Sequence, residues 1–316
     1  MTFQNPNPRF DPNANTQPFY PVGPAAPVPT KPILQSPARR RSCLAGCAPL
    51  LGLGVLLFLA AVAVYFLFPL RTNVLLLGAD RTEGSEIYGR TDTIILTTVI
   101  PLKPYVGMLS IPRDLWVPIP GHGENRINTA NYFAEIAKPG SGPQAAMEVV
   151  QTNFHAPVGY YVRIRFSGFK DVVDAMGGVD VDLPGAMAGL AAGKHHLNGD
   201  QALAFVRERE STDDFHRMAQ GQLLLKAALA QMMSPAHWGR IPAVLGVMDQ
   251  LLQTNVPVWD WPRLGLAVLR AGPGGIDNRV VSREMVQPFI TSGGADVLAP
   301  QWDKIRPVVS DMFGVQ

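Results

Sequence analysis

Arginine and aspartate side chains gather where one apolar run of the chain ends and a polar turn begins. The run Leu203–Val206 leads into Arg207 and Arg209, and the turn after it leads into Asp214 and Arg217. As a strand, this run directs Arg207 and Arg209 to one face, and a helix after the turn places Asp214 and Arg217 on one side. Fixed guanidinium groups beside a helix N-terminus are suited to holding phosphate. The alternative is a solvated strand end with ordinary salt bridges.

A second set of charged residues borders the apolar runs near the start of the large domain. Asp80 follows the run that begins at Asn73, Arg90 and Asp92 precede the next run, and Arg113 follows the third. Ligands of open α/β sheets bind at strand ends. Two carboxylates suit a hard cation whose shell is completed by water and phosphate oxygens. The arginines of both sets suit a pyrophosphate through bidentate bonds, and self-neutralising salt bridges are the alternative.

Several classes of site are excluded by the motifs that the sequence lacks. It contains no P-loop, no complete G-x-G-x-x-G and no G-x-S-x-G. None of the six histidines has a zinc-site spacing, and both cysteines, Cys43 and Cys47, precede the large domain. The formal net charge of +2 divides into +4 for residues 1–70 and −2 for the remainder, so the large domain is not a polycation, which argues against non-specific binding of nucleic acid. Carboxylates and arginines therefore remain as the groups that can carry chemistry.

Composition divides the chain into three segments. Residues 1–42 are rich in proline and poor in large apolar residues, which predicts a disordered tail. Residues 43–70 are uncharged and exceed the roughly 20 apolar residues that span a bilayer. The basic cluster Arg39–Arg41 precedes this run, and it predicts a single-pass signal-anchor with a cytoplasmic N-terminus and an extracytoplasmic domain at 71–316. Lipidation of Cys43 or Cys47 stays open.

Apolar patterns within residues 71–316 predict one α/β domain. The predicted strands are Asn73–Gly78, Thr93–Ile100, Tyr105–Ile111, Gly159–Phe166, Val179–Asp182 and Leu203–Val206. The predicted helices are Thr129–Ile136, Gln144–Asn153, Ser167–Met176, Arg217–Met233, Ile241–Leu252, Trp261–Leu269 and Gln301–Phe313. Arg163 and Arg165 are expected on a solvated strand face.

Taken together, the charged motifs resemble the LytR-CpsA-Psr family of bacterial cell-envelope proteins. The order and spacing match over roughly Arg71 to Met233, and the motifs are specific only in combination. The matching pieces are Leu77–Asp80, Gly89–Thr93, Leu109–Asp114, Arg126–Asn128, Gly177–Asp180, Leu197–Leu203, Arg207–Arg209, Asp214, Arg217 and Gln220. Departures from the family pattern are Ala79, Arg126 and the long proline-rich tail.

The resemblance implies a three-layer α/β/α sandwich with a mixed central sheet and an apolar tunnel for a lipid tail. It also implies a membrane-anchored phosphotransferase that moves a glycopolymer, such as wall teichoic acid or capsule, from a polyprenyl-pyrophosphate carrier to a peptidoglycan hydroxyl. The resemblance further implies that Asp80 and Asp92 bind Mg²⁺ or Mn²⁺, and that Asp214 orients an arginine or accepts a proton. The residues implied to bind substrate are Arg90, Arg113, Arg126, Arg207, Arg209, Arg217 and Gln220.

Two other functions remain open for the same residues. A polyprenyl-pyrophosphate hydrolase would use water as the acceptor. A non-enzymatic envelope regulator would only bind a polyprenyl phosphate, and the pair of metal-binding carboxylates argues against it because binding alone does not require them.

Overall fold

The computed structural model describes Gly23 and residues 44–68, 70–81, 88–208 and 214–314. The predicted tail, apart from Gly23, and Arg209 lie outside these residues. The chain divides into two units, Met1–Val55 and Leu56–Gln316. The second unit contains all the strands given below.

Elements of the described residues begin with a long apolar helix. The helices are α1 (Leu44–Leu67), α2 (Thr129–Ala137), α3 (Gly142–Phe154), α4 (Phe166–Met176), α5 (Gly199–Arg207), α6 (Asp214–Met233), α7 (Ile241–Leu251), α8 (Trp261–Ala271) and α9 (Trp302–Phe313). The strands are β1 (Thr72–Arg81), β2 (Tyr88–Ile100), β3 (Tyr105–Ser110), β4 (Trp116–Ile119), β5 (Gly123–Arg126), β6 (Tyr160–Arg165), β7 (Val179–Leu183), β8 (Gly193–Leu197), β9 (Leu252–Thr254), β10 (Ile276–Val280), β11 (Val286–Ile290) and β12 (Asp296–Pro300).

Helix α1 lies within the predicted membrane span and has 24 residues. Its side chains are described from Leu51 onward. Counting only described residues, no helix reaches the length and hydropathy that crossing a membrane requires. The span over 43–70 stays a prediction.

A six-stranded mixed sheet forms the centre of the domain, with the strand order β10-β3-β2-β1-β6-β9. Strand β1 is antiparallel to β2 and parallel to β6, and β3 is antiparallel to β2 and parallel to β10. The predicted mixed α/β fold is thereby confirmed. The inner strands β1 and β2 read as continuous apolar runs because both of their faces are covered.

Alternating side chains of the sheet enter different apolar clusters. Leu75 and Leu77 of β1 belong to a cluster with α3 and α9, whereas Leu76 packs on a cluster with α6 and α8. Helices therefore cover both faces of the sheet. A third cluster joins α4, α5, α6 and α7 to the β7–β8 hairpin.

The expectation that Arg163 is solvated was wrong. Its side chain on β6 is 1% exposed, and its Nη1 lies 2.5 Å from Oε1 of Glu135, which is equally buried. The same nitrogen donates to Asn131 at 3.0 Å. Glu135 and Asn131 both lie on α2, and a polar residue buried at this position needs such partners because water cannot reach it.

Candidate active site

A cavity of about 500 Å³ lies between the sheet and helices α4 and α6. Most of its lining is aliphatic or aromatic, and its charged lining residues are Asp92, Arg113, Arg207 and Arg217, called here the cavity mouth. Asp92 and Arg207 are exposed, whereas Arg113 and Arg217 are half-buried. The apolar lining includes Leu76, Leu77, Ile95, Ile164, Phe169, Val172, Val173, Met176, Val179, Val206, Met218, Leu224, Leu225 and Ala228. Such a shape accepts an apolar chain with an anionic head.

Arg113 connects the cavity mouth to a chain of alternating charges. Its Nη1 donates to Oδ1 of Asp92 at 2.6 Å, and its Nε lies 3.5 Å from Oδ2 of Asp114. The other oxygen of Asp114 lies 3.0 Å from Nε of Arg126. Alternating charges hold each group in a fixed orientation. Asp114 was missed as a site residue, although it directly follows Arg113 in the sequence.

An irregular register between β1 and β2 displays Asp92. Gly78 pairs with Thr93 but Ala79 pairs with Thr91, so Asp92 is an extra residue on its strand. The next pair is Arg81 with Tyr88, so Asp80 also falls within the irregular part. Bulges re-aim side chains next to active sites. The side chain of Asp80 is not described, but the backbone places both aspartates on neighbouring strands at the same end.

The predicted metal ligands are compatible with this backbone. Among described side chains, no group of three or more histidine, cysteine, aspartate or glutamate residues could hold a metal ion. Mg²⁺ needs only one or two carboxylates when water and phosphate oxygens complete its shell. The described backbone places Asp80 and Asp92 on neighbouring strands, and their metal role stays a prediction.

Arg207 is placed by a helix, and the predicted strand Leu203–Val206 was wrong. Asn198 accepts a hydrogen bond from the Gln201 backbone N–H at 2.9 Å, and the Gln201 side chain accepts one from the Asn198 N–H at 2.9 Å. This capping box starts α5, and Arg207 is its last residue. Because four apolar residues fit either period, only the preceding cap distinguishes a helix from a strand.

Helix α6 begins at Asp214, whose side chain is not described, and it carries two further predicted residues. Arg217 lies in its first turn and lines the cavity. The free N–H groups and the dipole at the N-terminus of a helix favour an anion near its first turn. Gln220 is fully buried, and among the described residues neither of its amide atoms has a hydrogen-bond partner. It is not among the residues that line the cavity.

Four of the predicted site residues line the same cavity, and three others lie outside its lining. Asp92, Arg113, Arg207 and Arg217 share the cavity mouth. Arg90 is exposed outside the lining, and the guanidinium of Arg126 contacts Asp114 and donates to the backbone oxygen of Asp296 at 2.8 Å. Gln220 is the third. The binding roles of these three residues stay predictions.

Comparisons with known proteins find relatives that match most of this chain. The profile described as the LytR_cpsA_psr family matches residues 70–305. Over 248 residues the chain is 34% identical to the polyisoprenyl-teichoic acid–peptidoglycan teichoic acid transferase TagU of Oceanobacillus iheyensis, covering 77% of this chain and 75% of that protein.

A second curated relative and a solved structure also match this chain. The protein of the same name from Bacillus mycoides is 35% identical over 191 residues, covering 58% of this chain and 60% of that protein. A solved structure described as TagT bound to LIIa-WTA superposes with a TM-score of 0.64 at 26% identity, covering 78% of this chain and 92% of that one.

Proposed function

Because this chain belongs to the LytR-CpsA-Psr family, we propose that it is a glycopolymer–peptidoglycan phosphotransferase. Its donor is a glycopolymer on a polyprenyl-pyrophosphate carrier, and its acceptor is a hydroxyl group of peptidoglycan. The names of TagU and of the TagT complex support this substrate class.

The observation that carries the proposal is the union of an apolar cavity with an arginine-rich mouth. Phe169, Val172 and Met176 belong to the apolar lining, which suits a prenyl chain, while Arg113, Arg207 and Arg217 line the same space. An enzyme that used only a soluble phosphorylated substrate would have no need of this apolar volume. The lining therefore favours a lipid-linked anion.

The proposed reaction is an exchange at one phosphorus atom. The acceptor oxygen forms a bond to the phosphorus that bears the glycopolymer, and the bond from that phosphorus to the bridging oxygen breaks. Polyprenyl phosphate leaves, and the hydroxyl proton passes to a carboxylate, for which we propose Asp214 or Asp80. Arginines at the mouth stabilise charge on the leaving phosphate, which is the main demand of phosphoryl transfer.

We assign the remaining predicted residues to supporting roles. Asp80 and Asp92 would hold Mg²⁺ or Mn²⁺, which neutralises phosphate charge when bound. Arg90 and Arg209 would contact the pyrophosphate. Arg126 acts through Asp114 on Arg113, a positioning role that its 3.0 Å contact supports.

We further propose that residues 43–70 anchor the protein in the cell membrane. The tail at 1–42 is then cytoplasmic, and 71–316 is extracytoplasmic. The uncharged run and the Arg39–Arg41 cluster support this topology. Anchoring keeps the cavity near the bilayer, where a lipid carrier presents its head group.

A reconstituted reaction tests the proposal against its alternatives. The full chain is incubated with a short-chain polyprenyl-pyrophosphate glycan, Mg²⁺ and peptidoglycan fragments. Transfer predicts glycan joined to the fragments through a phosphodiester. Release of glycan phosphate without joining would indicate a hydrolase, and binding without turnover would indicate a regulator; either outcome would refute the transferase.

A further inference from the structure

A second groove lies among the β4–β5 hairpin, the end of α3, the β11–β12 hairpin and the start of α9. Its volume is about 540 Å³, which is within the range of about 300–1,000 Å³ that ligand sites occupy. Trp116, Phe289 and Trp302 supply its aromatic surface. We call it the aromatic groove. None of its lining residues lines the cavity between the sheet and helices α4 and α6.

Neighbouring contacts hold the aromatic rings in fixed orientations. Trp116 meets Phe289 edge-to-face with a centroid distance of 6.2 Å, and Trp302 meets Phe154 in the same way at 5.2 Å. The indole N–H of Trp116 donates to Oε2 of Glu124 at 3.2 Å. Both tryptophans are half-buried. Each one therefore presents a pre-oriented apolar ring rather than a mobile side chain.

Polar groups of both signs stand beside these rings. Glu124 and Arg306 are exposed in the lining, as are Thr152 and His155. The groove thus offers one carboxylate and one guanidinium, whereas the lining of the cavity mouth contains three arginines and one carboxylate. A polyanionic polymer would be attracted to the mouth. An uncharged ligand with apolar faces and many hydroxyl groups matches the groove better.

A pyranose chain has this combination of surfaces. Its ring faces are lined by C–H groups, which stack on indole rings, and its edges carry hydroxyl and acetamido groups that need hydrogen-bond partners. We propose that the aromatic groove is a binding subsite for an uncharged N-acetylhexosamine glycan. Trp116 and Trp302 stack against the sugar rings, and Glu124, Thr152 and Arg306 bind their polar edges.

The hairpin that carries Trp116 also connects the groove to the cavity mouth. Trp116 pairs with Arg126 across β4 and β5, and Arg126 contacts Asp114, which contacts Arg113. Resting on the proposed function, we assign the groove to the glycan strand of the acceptor. The donor and acceptor would then bind at separate surfaces joined by one charged network.

Calorimetric titration of the full chain with tetra-N-acetylchitotetraose tests this subsite. The protein is kept in a detergent without a sugar head group, since such a head group would compete for the rings. We expect saturable binding that Trp116→Ala weakens at least about tenfold, because aromatic anchors dominate binding surfaces. The matched control is Trp238→Ala, since Trp238 is 49% exposed outside the groove; it should bind as the unaltered chain does.

Two outcomes would overturn the subsite. One is the absence of saturable binding to the unaltered chain, and the other is equal affinity in Trp116→Ala. If Trp116→Ala does not fold, as judged by thermal melting, Arg306→Ala replaces it, because that side chain is exposed. Glycan binding without any transfer would refute the proposed function and leave the subsite, whereas transfer without groove-dependent binding would refute the subsite alone.

Discussion

Arg113 illustrates how a charged residue at this site serves function more than stability. Its side chain is 27% exposed and that of Asp92 is 50% exposed. Ion pairs with such access to water stabilise a fold by about 0–1 kcal/mol. The short Asp92–Arg113 contact therefore contributes chiefly by fixing the guanidinium at the cavity mouth. Losses of activity at the mouth should accordingly occur without losses of folding.

Tyr105 gives a residue-scale prediction about pH. Burial, assisted by a 3.0 Å hydrogen bond to Asp277, raises the pKa of Tyr105 to about 12 from its ordinary value near 10. The folded state thus keeps a proton that the unfolded state loses above about pH 10. Below that pH its contribution to stability is fully present, and it is lost as the pH rises through about 12.

Urea unfolding near pH 9 and pH 11.5 checks this prediction. The unaltered chain should lose more unfolding free energy between the two pH values than Tyr105→Phe does. Equal losses in both proteins would show that Tyr105 does not carry the alkaline dependence.

The sequence identified charged residues more readily than it identified their surroundings. Arg163 and Arg207 both follow apolar runs, yet Arg163 is buried against Glu135 while Arg207 is exposed at the cavity. Local pattern cannot separate these cases, because the partners of Arg163 are Glu135 and Asn131 of α2, which are distant from it in the sequence. The partner of a polar residue is set by tertiary packing.

Helix α5 positions Arg207, and its capping box makes this dependence testable. Asn198→Ala removes the side-chain acceptor at the helix N-terminus and should reduce the unfolding free energy by about 1 kcal/mol. Fraying of a short helix should also lower transfer activity, because Arg207 is its last residue. Chemical denaturation and the transfer assay measure the two effects, with Asn198→Asp as the conservative control that retains a cap. An unchanged stability in Asn198→Ala would contradict the role of the cap.

Long apolar elements were predictable, whereas short hairpins were not. The runs for β1, β2 and β3, and the helices α3 and α4, lie close to their predicted positions. The β4–β5 and β11–β12 hairpins were missed. Pro118, Pro288 and Pro300 lie within these hairpins, and proline normally argues against a strand except at an edge. The aromatic groove could therefore not be predicted from the sequence, since residues of these hairpins form much of its lining.

At the scale of the whole molecule, the cavity predicts a dependence on the length of the lipid chain. Gly221 of α6 lines the cavity, and a Cβ added to it would meet no atom within 4 Å. Gly221→Leu should therefore fill apolar space without strain, and leucine also has a better helix propensity than glycine. We expect kcat/KM for a long-chain carrier to fall about tenfold, with a much smaller change for a short-chain carrier.

Gly246→Leu is the matched control for this prediction. Gly246 lies on α7, is exposed outside the cavity lining, and also has open space around an added Cβ. Its activity on both carriers should equal that of the unaltered chain. A uniform loss for both carriers in Gly221→Leu would count against a lipid in the cavity.

Removal of a mouth arginine tests the central claim most directly. The rate of glycopolymer transfer is measured for Arg207→Ala and Arg217→Ala, alongside the exposed Arg240→Ala outside the cavity lining, with thermal melting of each protein. We predict losses of at least about 100-fold for the first two, the scale reported for loss of one donor to developing charge, and less than about twofold for Arg240→Ala. Transfer at the unaltered rate in both Arg207→Ala and Arg217→Ala, with all proteins folded, would contradict the account.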